Sequence, residues 1–218
     1  MVIDANLKAY LQQLTPLDDP LLAEMEAVAQ EKGIPIIERP SIKLIRVLLH
    51  TKSTVRRILE IGTAIGYSAI WLAQSAPDAH VDTIEKDKQR VVQARSYIER
   101  AGLAQRISVH HADAKTYAQQ LQHRYDCIFI DAAKGQYRLL FEQYATRLND
   151  GGLIISDNVF FRGDVAAEQI QNKRFRSLVN KLKAYNQWLA EHPRFETSFV
   201  PIGDGLAISK LKAESPEN

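Results

Sequence analysis

Short apolar runs alternate with helix-patterned segments through the middle of this chain, and this alternation limits the fold more than any other feature of the sequence. Each apolar run has the length of a buried strand, and each intervening segment carries apolar residues at helical spacing. The predicted strands are 56–61, 80–85, 106–110, 126–131 and 152–156, and the predicted helices are 66–75, 87–101, 114–122 and 136–149. Such alternation is typical of βαβ units and predicts an α/β fold with a parallel, doubly wound sheet.

Both ends of the chain depart from this pattern. Residues 4–32 and 40–51 have the apolar spacing of helices. Residues 195–201 and 206–211 flank a Gly-Asp-Gly turn and predict a β-hairpin, which brings the sheet to seven strands. We therefore expect one domain over 1–218, with N-terminal helices in 1–52 and a core in 53–212. The last residues, 213–218, are expected to form a frayed tail.

Composition narrows the classes of protein that remain. The 218 residues carry a net charge of only +2, which permits a nucleic-acid partner without requiring one. Cys127 is the only cysteine, so an internal disulfide is excluded. The sequence shows no signal peptide and no long apolar span, so we expect a soluble, cytoplasmic protein without membrane contact. The oligomeric state stays open, although the apolar N-terminal helices would suit a homodimer.

The turn after the first predicted strand is rich in glycine and has the position of a nucleotide-binding turn. Its glycines are Gly62 and Gly66, while Ala64 stands where a dinucleotide-binding turn has its middle glycine and no third glycine follows to allow close helix packing. This argues against NAD and favours a ligand without phosphate, such as S-adenosylmethionine (SAM). Backbone groups from Gly62 on and the Ser68 hydroxyl would meet its amino-acid end, and Glu60 would orient the amino group. A tight turn without any ligand is the alternative.

Acids at the ends of the next two strands fit the same ligand. Glu85 is placed to accept the two ribose hydroxyls, unless it is only a solvated acid at a helix start. Asp113 and Ala114 would place a carboxylate and a backbone N–H beside the adenine, unless Asp113 only caps a helix.

A second group of polar residues follows the last two predicted parallel strands. Asp131, Asp157 and Asn158 offer oxygen ligands with no histidine or cysteine, which favours Mg²⁺ over zinc. Lys134 lies three residues after Asp131, and a nearby dication would lower the pKa of its ammonium group, so it is a candidate general base. The alternatives are helix-capping or loop acids and a surface lysine.

These residues together resemble the metal-dependent class I O-methyltransferases, the family that includes catechol and caffeoyl-CoA methyltransferases. The resemblance rests on Glu60 to Ser68, Glu85, Asp113-Ala114, Phe129 to Tyr137 and Asp157-Asn158. It implies a Rossmann-like methyltransferase fold with a C-terminal antiparallel hairpin. It also implies Mg²⁺ on Asp131, Asp157 and Asn158. The cofactor contacts that it implies come from Ser68, Glu85, Asp113, Ala114, Asp131 and the segment near Ile37.

Within that family, the segments Ile58 to Ile70 and Asp157 to Gly163 resemble the tRNA 5-hydroxyuridine methyltransferases of Gram-positive bacteria. The resemblance implies conversion of 5-hydroxyuridine at the wobble position of the tRNA anticodon loop to 5-methoxyuridine. Basic residues interleaved with aromatic ones over 162–194, and a second basic group over 39–57, would suit RNA. A solvated helix face with its aromatic residues packed inward explains the first of these segments equally well.

Four hypotheses about function therefore follow from the sequence. The first is methyl transfer to tRNA, and the second is the same reaction on a small catechol-like molecule. The third is a non-catalytic nucleotide- or RNA-binding module, which would have no need of the Asp131 and Lys134 chemistry. The fourth is a nicotinamide dehydrogenase, which Ala64 makes a poor match. The sequence does not say which tRNAs are modified or whether Mn²⁺ replaces Mg²⁺.

Overall fold

The computed structural model describes residues 4–52, 54–170 and 172–212. The described chain divides into two compact units, one over Asp4–Gln122 and the other from His123 onward. The prediction of one domain spanning 1–218 stays a prediction, and the predicted tail over 213–218 lies outside the described residues. No helix in the described ranges is long and apolar enough to cross a membrane.

The first unit carries the N-terminal helices and three strands. Its elements are α1 (Ala5–Gln13), α2 (Pro20–Lys32), α3 (Arg39–Thr51), β1 (Arg57–Ile61), α4 (Tyr67–Ser75), β2 (His80–Glu85), α5 (Lys88–Arg100), β3 (Ile107–His111) and α6 (Ala114–Tyr117). Strand β2 pairs in parallel with both β1 and β3. Strands β1 and β2 are buried along nearly their whole length, as expected of parallel strands covered on both faces.

The second unit carries the other four strands. Its elements are β4 (Tyr125–Ile130), α7 (Tyr137–Ala145), β5 (Leu148–Ser156), α8 (Arg176–Ala190), β6 (Phe195–Val200) and β7 (Leu206–Leu211). Strands β4 and β5 are parallel, whereas β7 runs antiparallel to both β5 and β6. The strand order of the whole sheet is β3-β2-β1-β4-β5-β7-β6. This confirms the predicted seven-stranded, mainly parallel sheet with a C-terminal antiparallel hairpin.

Two predicted helices are wrong in extent. The helix predicted over 136–149 begins at Tyr137 and ends at Ala145, because β5 already starts at Leu148. The register between β4 and β5 shifts along Asp150-Gly151-Gly152, so these residues form a bulge inside a strand instead of following a helix. The helix predicted over 114–122 is one α-helical turn, α6, followed by a 3₁₀ turn at Ala118–Gln120.

The aromatic residues of α8 and α7 pack inward. Val179, Tyr185 and other apolar residues of α8 are buried, and Phe141 of α7 makes an edge contact with Trp188 at 5.2 Å between ring centroids. Phe141 also packs on Phe195 at 4.9 Å. The inward packing of the aromatic residues, expected if this helix has a solvated face, is therefore present. Of the basic residues of α8, Arg176 and Lys181 are exposed and Lys183 is half-buried.

The loop between β6 and β7 is hydrogen-bonded to the segment that follows β5. Val159 N–H donates to the Gly205 carbonyl at 3.1 Å, and Phe160 N–H donates to the Asp204 carbonyl at 3.0 Å. Gly205 has φ +90°, and a β-carbon on it would lie 2.2 Å from the nearest ring carbon of Phe160. Only glycine allows this approach, so the hairpin loop fixes the course of the chain beyond Asn158.

We predict that Gly205→Ala destabilises the protein more than Gly102→Ala. Gly102 also has positive φ (+68°), but no atom lies within 4 Å of the position its β-carbon would take. Both variants acquire backbone strain of about 1–3 kcal/mol, and only Gly205→Ala adds an overpacking cost of similar size. Urea unfolding of both variants measures the difference. Equal losses would show that the Phe160 contact does not constrain this loop.

Candidate functional site

The glycine-rich turn between β1 and α4 lies in the first unit and is fixed by backbone hydrogen bonds. The N–H of Gly62 donates to the carbonyl of Ile84 at 3.0 Å, and the N–H of Gly66 donates to that of Thr63 at 2.8 Å. Gly66 precedes α4 without a side-chain cap. The first N–H groups of a helix have no intrahelical acceptors, so this end of α4 suits the carboxylate of an amino-acid-like ligand.

Gly66 also lets two helices approach closely. A β-carbon on Gly66 would lie 3.4 Å from the Cα, Cβ and carbonyl oxygen of Ala94 on α5. The spacing of the glycines predicts that none of them fills the packing role that the third glycine has in dinucleotide-binding turns. The contact of Gly66 is with a neighbouring helix and not with a strand, so it does not test that prediction.

Glu85 stabilises the turn from the end of β2. One oxygen of its carboxylate accepts the N–H of Ala64 at 3.0 Å, and the other accepts those of Lys86 and Asp87 at 2.9 Å each. The side chain is buried, which excludes the solvated acid considered as its alternative. A carboxylate has about four acceptor positions, so capacity for a ribose hydroxyl remains.

Asp113 acts as a helix cap, as its alternative interpretation proposed. Its carboxylate accepts the N–H of Lys115 at 2.9 Å, and this hydrogen bond lowers the pKa of Asp113. The N–H of Ala112 donates to the Glu85 carbonyl at 2.9 Å, which places Asp113 and Ala114, just after the end of β3, beside the end of β2. Adenine contacts from these two residues stay a prediction.

The remaining predicted cofactor residues of this unit are buried. Glu60 is fully enclosed, and its carboxylate accepts the hydroxyl of Thr83 at 2.6 Å, while that hydroxyl lies 2.6 Å from the hydroxyl of Thr63 in the turn. Ser68 lies in the first turn of α4. Ile37 lines a cavity of about 330 Å³ beside α2 and α3. Direct cofactor contacts from these residues also stay predictions.

A polar cluster that no sequence pattern indicated connects this turn to the N-terminal helices. The Tyr67 hydroxyl donates to Glu26 at 2.6 Å, and Arg39 forms an ion pair with the same carboxylate oxygen at 3.1 Å. Burial and the neighbouring carboxylate raise the pKa of Tyr67. The cluster has no local signal, because Glu26 and Tyr67 are far apart in the sequence. It fixes the start of α4, where Ser68 lies, against α2 and α3.

The second unit brings the predicted acid and lysine residues together. Asp131 follows β4 directly and Asp157 follows β5, and the N–H of Asp157 donates to the Ile130 carbonyl at 3.0 Å. Asn158 adopts a left-handed backbone (φ +55°), and its N–H donates to the Asp157 carboxylate at 2.7 Å. The Lys134 ammonium donates to the side-chain oxygen of Asn158 at 2.8 Å. Lys134 therefore belongs to this acid site and is not a remote surface lysine.

Electrostatics in the acid site favour a bound cation. Burial, and next to it the charge of Asp131, raise the pKa of Asp157 well above its ordinary value, although the Asn158 N–H and Lys134 oppose this. Burial also raises the pKa of Asp131, and Lys134 opposes it. A divalent cation would offset both costs, and two carboxylates with an amide oxygen are ligands that suit Mg²⁺. Among the described residues, no group of three or more His, Cys, Asp or Glu side chains could hold a metal ion. The predicted ligands, Asp131, Asp157 and Asn158, include only two acids and therefore do not form such a group.

Two further residues shape the acid site. The Tyr137 hydroxyl donates to the Asp157 carbonyl at 2.8 Å, and burial together with the Asp131 and Asp157 carboxylates raises the pKa of Tyr137. Asp204 in the β6–β7 loop accepts the backbone N–H of Arg162, and its charge adds to the raised pKa of Asp157. The sequence showed Tyr137 as the start of a helix and Asp204 as part of a turn, so neither pattern indicated this role.

Comparisons with known proteins agree with these observations. A family model described as O-methyltransferase matches residues 13–212. The chain is similar to a catechol O-methyltransferase of Niastella koreensis, with 37% identity over 207 residues that cover 89% of this chain and 91% of the relative. Among solved structures, it is similar to a Staphylococcus aureus protein provisionally named a caffeoyl-CoA O-methyltransferase (TM-score 0.89, 34% identity, 96% of this chain and 100% of that one). The Streptomyces achromogenes O-methyltransferase TomG, solved with SAM, has a TM-score of 0.82 at 25% identity and covers 95% and 96% of the two chains.

We predict that Asp157→Asn stabilises the protein in the presence of EDTA at neutral pH. A carboxyl group whose folded-state pKa is raised binds its proton more tightly in the folded state, so the free energy of unfolding falls as pH rises through that pKa. The asparagine keeps an acceptor for the Asn158 N–H and removes the charge. Thermal unfolding should show a higher Tm, by about 2–4 °C for each 1 kcal/mol gained, and the gain should vanish at acidic pH.

The matched control is Asp150→Asn, which removes an exposed carboxylate of the same unit. It should change Tm by much less than Asp157→Asn. A lower Tm for Asp157→Asn at neutral pH would contradict the account of a strained acid pair.

Proposed function

Because the chain belongs to the O-methyltransferase family of the catechol and caffeoyl-CoA type, we propose that it methylates the 5-hydroxyl of 5-hydroxyuridine at the tRNA wobble position, with SAM as methyl donor and Mg²⁺ as a required ion. The product would be 5-methoxyuridine. The observation that carries this proposal is the acid site, where the buried Asp157, the half-buried Asp131, an amide and a lysine meet beyond the ends of two parallel strands. A protein that only binds nucleotides has no need of this combination.

The residues present fit the proposed metal. Asp131, Asp157 and Asn158 would hold it through oxygen atoms, and their buried charge is otherwise poorly offset. When bound, Mg²⁺ supplies charge that favours the ionised form of an acceptor hydroxyl. The Tyr137 hydroxyl and the β6–β7 loop keep the chain around Asp157 in place, so the ligand atoms are positioned by rigid elements.

Lys134, once its side chain has lost its own proton and is a neutral amine, would take the proton from the acceptor hydroxyl. Its nitrogen is already held at the site by the side-chain oxygen of Asn158, at 2.8 Å. A general base must lie within hydrogen-bond reach of the proton that it removes, and such a base contributes typically about 10²–10⁴-fold to a rate. The acceptor oxygen would then attack the methyl group of SAM in line, so that the bond from sulfur to methyl breaks and S-adenosylhomocysteine leaves. Positioning contributes roughly 7–11 kcal/mol to such a step.

The methyl donor would be held in the first unit. We assign its amino-acid end to the turn from Gly62, to Ser68 and to Glu60, and its ribose to Glu85. The adenine would lie against Asp113 and Ala114. Ile37 would line the same binding site. The donor contact that the resemblance implies for Asp131 stays a prediction.

The chemistry of the acceptor is common to the proposed tRNA substrate and to catechols. A catechol offers two adjacent oxygens, and 5-hydroxyuridine offers its 5-hydroxyl and the O4 carbonyl. A small catechol-like molecule is therefore the second candidate substrate, and the 37% identity to a catechol O-methyltransferase favours it.

The exposed basic side chains at the start of α8 support RNA as the acceptor. Lys181 of the same helix lies within 3.8 Å of the place a β-carbon on Gly135 would take, next to Lys134. A wobble base lies in a loop, so it enters a pocket at small cost.

We predict that Lys134→Ala lowers the rate of methyl transfer by about 10²–10⁴-fold and leaves SAM affinity within a few-fold of the wild type. Lys134→Arg is the matched control, because it keeps the positive charge while its guanidinium does not release a proton. Single-turnover kinetics and calorimetric SAM binding measure the two quantities. Wild-type turnover in Lys134→Arg would contradict the role as a base.

The substrate is tested by methyl transfer from labelled SAM. Total tRNA containing 5-hydroxyuridine is compared with tRNA that lacks it and with a simple catechol, each with Mg²⁺ and with EDTA. We expect EDTA-sensitive label in tRNA that requires 5-hydroxyuridine. Label in the catechol alone would move the assignment to a small-molecule enzyme, and label that resists EDTA would remove the metal from the proposal.

A further inference from the structure

The structure has a cavity in the unit that starts at His123, and this cavity is lined by none of the predicted ligand residues. It has a volume of about 470 Å³, which lies in the usual range for small-molecule sites of roughly 300–1,000 Å³. It is formed by the loop before α8 and by one face of α8. Its lining residues are Glu168, Gln169, Ile170, Lys173, Arg176, Asn180 and Lys183. None of them belongs to the predicted cofactor or metal ligands.

The charge of this cavity favours an anion. Lys173, Arg176 and Lys183 face a single acid, Glu168. Within the described ranges neither Lys173 nor Arg176 forms an ion pair, and both side chains are exposed. Lys183 differs, because its ammonium group donates to the Ala167 carbonyl at 3.2 Å and so ties the loop to α8.

The positions of these residues on α8 make the cavity a shaped site. Arg176, Asn180 and Lys183 are spaced four and three residues apart, so they share one helix face. Arg176 is the first residue of this 15-residue helix, which begins without a side-chain cap and so adds the positive end of its dipole. An arginine fork with nearby lysine ammonium and amide groups is the usual recognition set for a phosphate.

The same helix also borders the acid site. The side chain of Lys181 on α8 approaches Gly135 in the loop that carries Lys134. On the other side, the chain that leaves Asn158 runs through a 3₁₀ segment, Phe161–Ala166, whose Phe161 ring contacts Phe175 at 5.3 Å between centroids. The chain that leaves Asn158 thus leads through this segment to Glu168, Gln169 and Ile170, which line the cavity.

We propose that this cavity, which we call the α8 cradle, binds a backbone phosphate of the acceptor RNA next to the nucleotide that is methylated. The identity of the acceptor as RNA rests on the proposed function, whereas the affinity of the cradle for phosphate rests on its own residues. A phosphate there would place the acceptor strand in register with the acid site. The cradle thereby gives a reason for a strand of RNA to be preferred over a free nucleoside.

The test measures binding of a short fluorescent oligouridylate, which contains no 5-hydroxyuridine, by anisotropy at several salt concentrations. Lys173→Ala and Arg176→Ala are compared with Lys210→Ala, which removes an exposed lysine from β7 outside the cradle. Each cradle variant should weaken binding about tenfold, as expected for one charged hydrogen bond. Each should also reduce the slope of log K against log salt by about 0.7, the value for one phosphate contact on a single strand. Lys210→Ala should bind like the wild type.

Methyl transfer to a stem-loop containing 5-hydroxyuridine and to the free 5-hydroxyuridine nucleoside separates the two proposals. The cradle variants should lose rate on the stem-loop at subsaturating concentration and keep the wild-type rate on the nucleoside. No methylation of either acceptor, together with oligouridylate binding that depends on Lys173 and Arg176, would overturn the proposed function and leave the phosphate site standing. Equal oligouridylate binding by all variants would overturn the cradle, whatever the methylation result.

Coenzyme A provides the other source of phosphate, and its direct binding is measured by calorimetry. Coenzyme A binding that depends on Lys173 and Arg176, with no binding of oligouridylate, would confirm a phosphate site and overturn RNA as its occupant. Unfolding curves that match the wild type ensure that a weakened variant is folded.

Discussion

Two carboxylates at the ends of adjacent parallel strands, Asp157 buried and Asp131 half-buried, are the constraint around which the second unit is arranged. The register of β4 on β5 sets Ile130 opposite Ser156, so Asp131 and Asp157 leave the sheet side by side. Burial and the charge of Asp131 raise the cost of ionising Asp157, and the Asn158 N–H and the Lys134 ammonium offset this only in part. The β6–β7 loop and Tyr137 prevent the chain from relaxing away from this arrangement. Carboxylates that the fold holds close together despite their mutual repulsion are expected where a cation is bound.

The buried acids of the first unit have different partners. Glu85 is satisfied by three backbone N–H groups, and Glu60 accepts a hydroxyl that leads to the glycine-rich turn. Glu85 needs no metal, because three hydrogen bonds from the protein already compensate for its burial. Negative charge at this turn suits SAM, which carries a positive sulfonium beside its zwitterionic amino-acid end. The contrast between Glu85 and the acid site follows from their partners, since all of these side chains are carboxylates.

Much of this arrangement is predictable from the sequence because it depends on local rules. Strand ends and the residues that follow them are visible in the sequence, so the pattern of strands alone places Asp131, Lys134, Asp157 and Asn158 in one site. The cluster of Tyr67, Glu26 and Arg39 is not predictable, since it depends on how helices distant in the sequence pack. The end of α7 is also mispredicted, because a bulge in β5 depends on strand register. Asp113 shows a third limit: its type and position fit both a helix cap and an adenine contact, and the structure confirms only the cap.

The most direct test of this account is a count of divalent ions bound to the purified protein. Titration of Mn²⁺ into metal-free protein, followed by the electron paramagnetic resonance signal of the free ion, should show one bound ion per chain that Mg²⁺ displaces. Asp131→Asn and Asp157→Asn should lose it, while Asp157→Asn, which is not assigned to the donor, still binds SAM. Wild-type protein that binds SAM but no Mn²⁺ would contradict the central claim, because the acid pair would then have another cause.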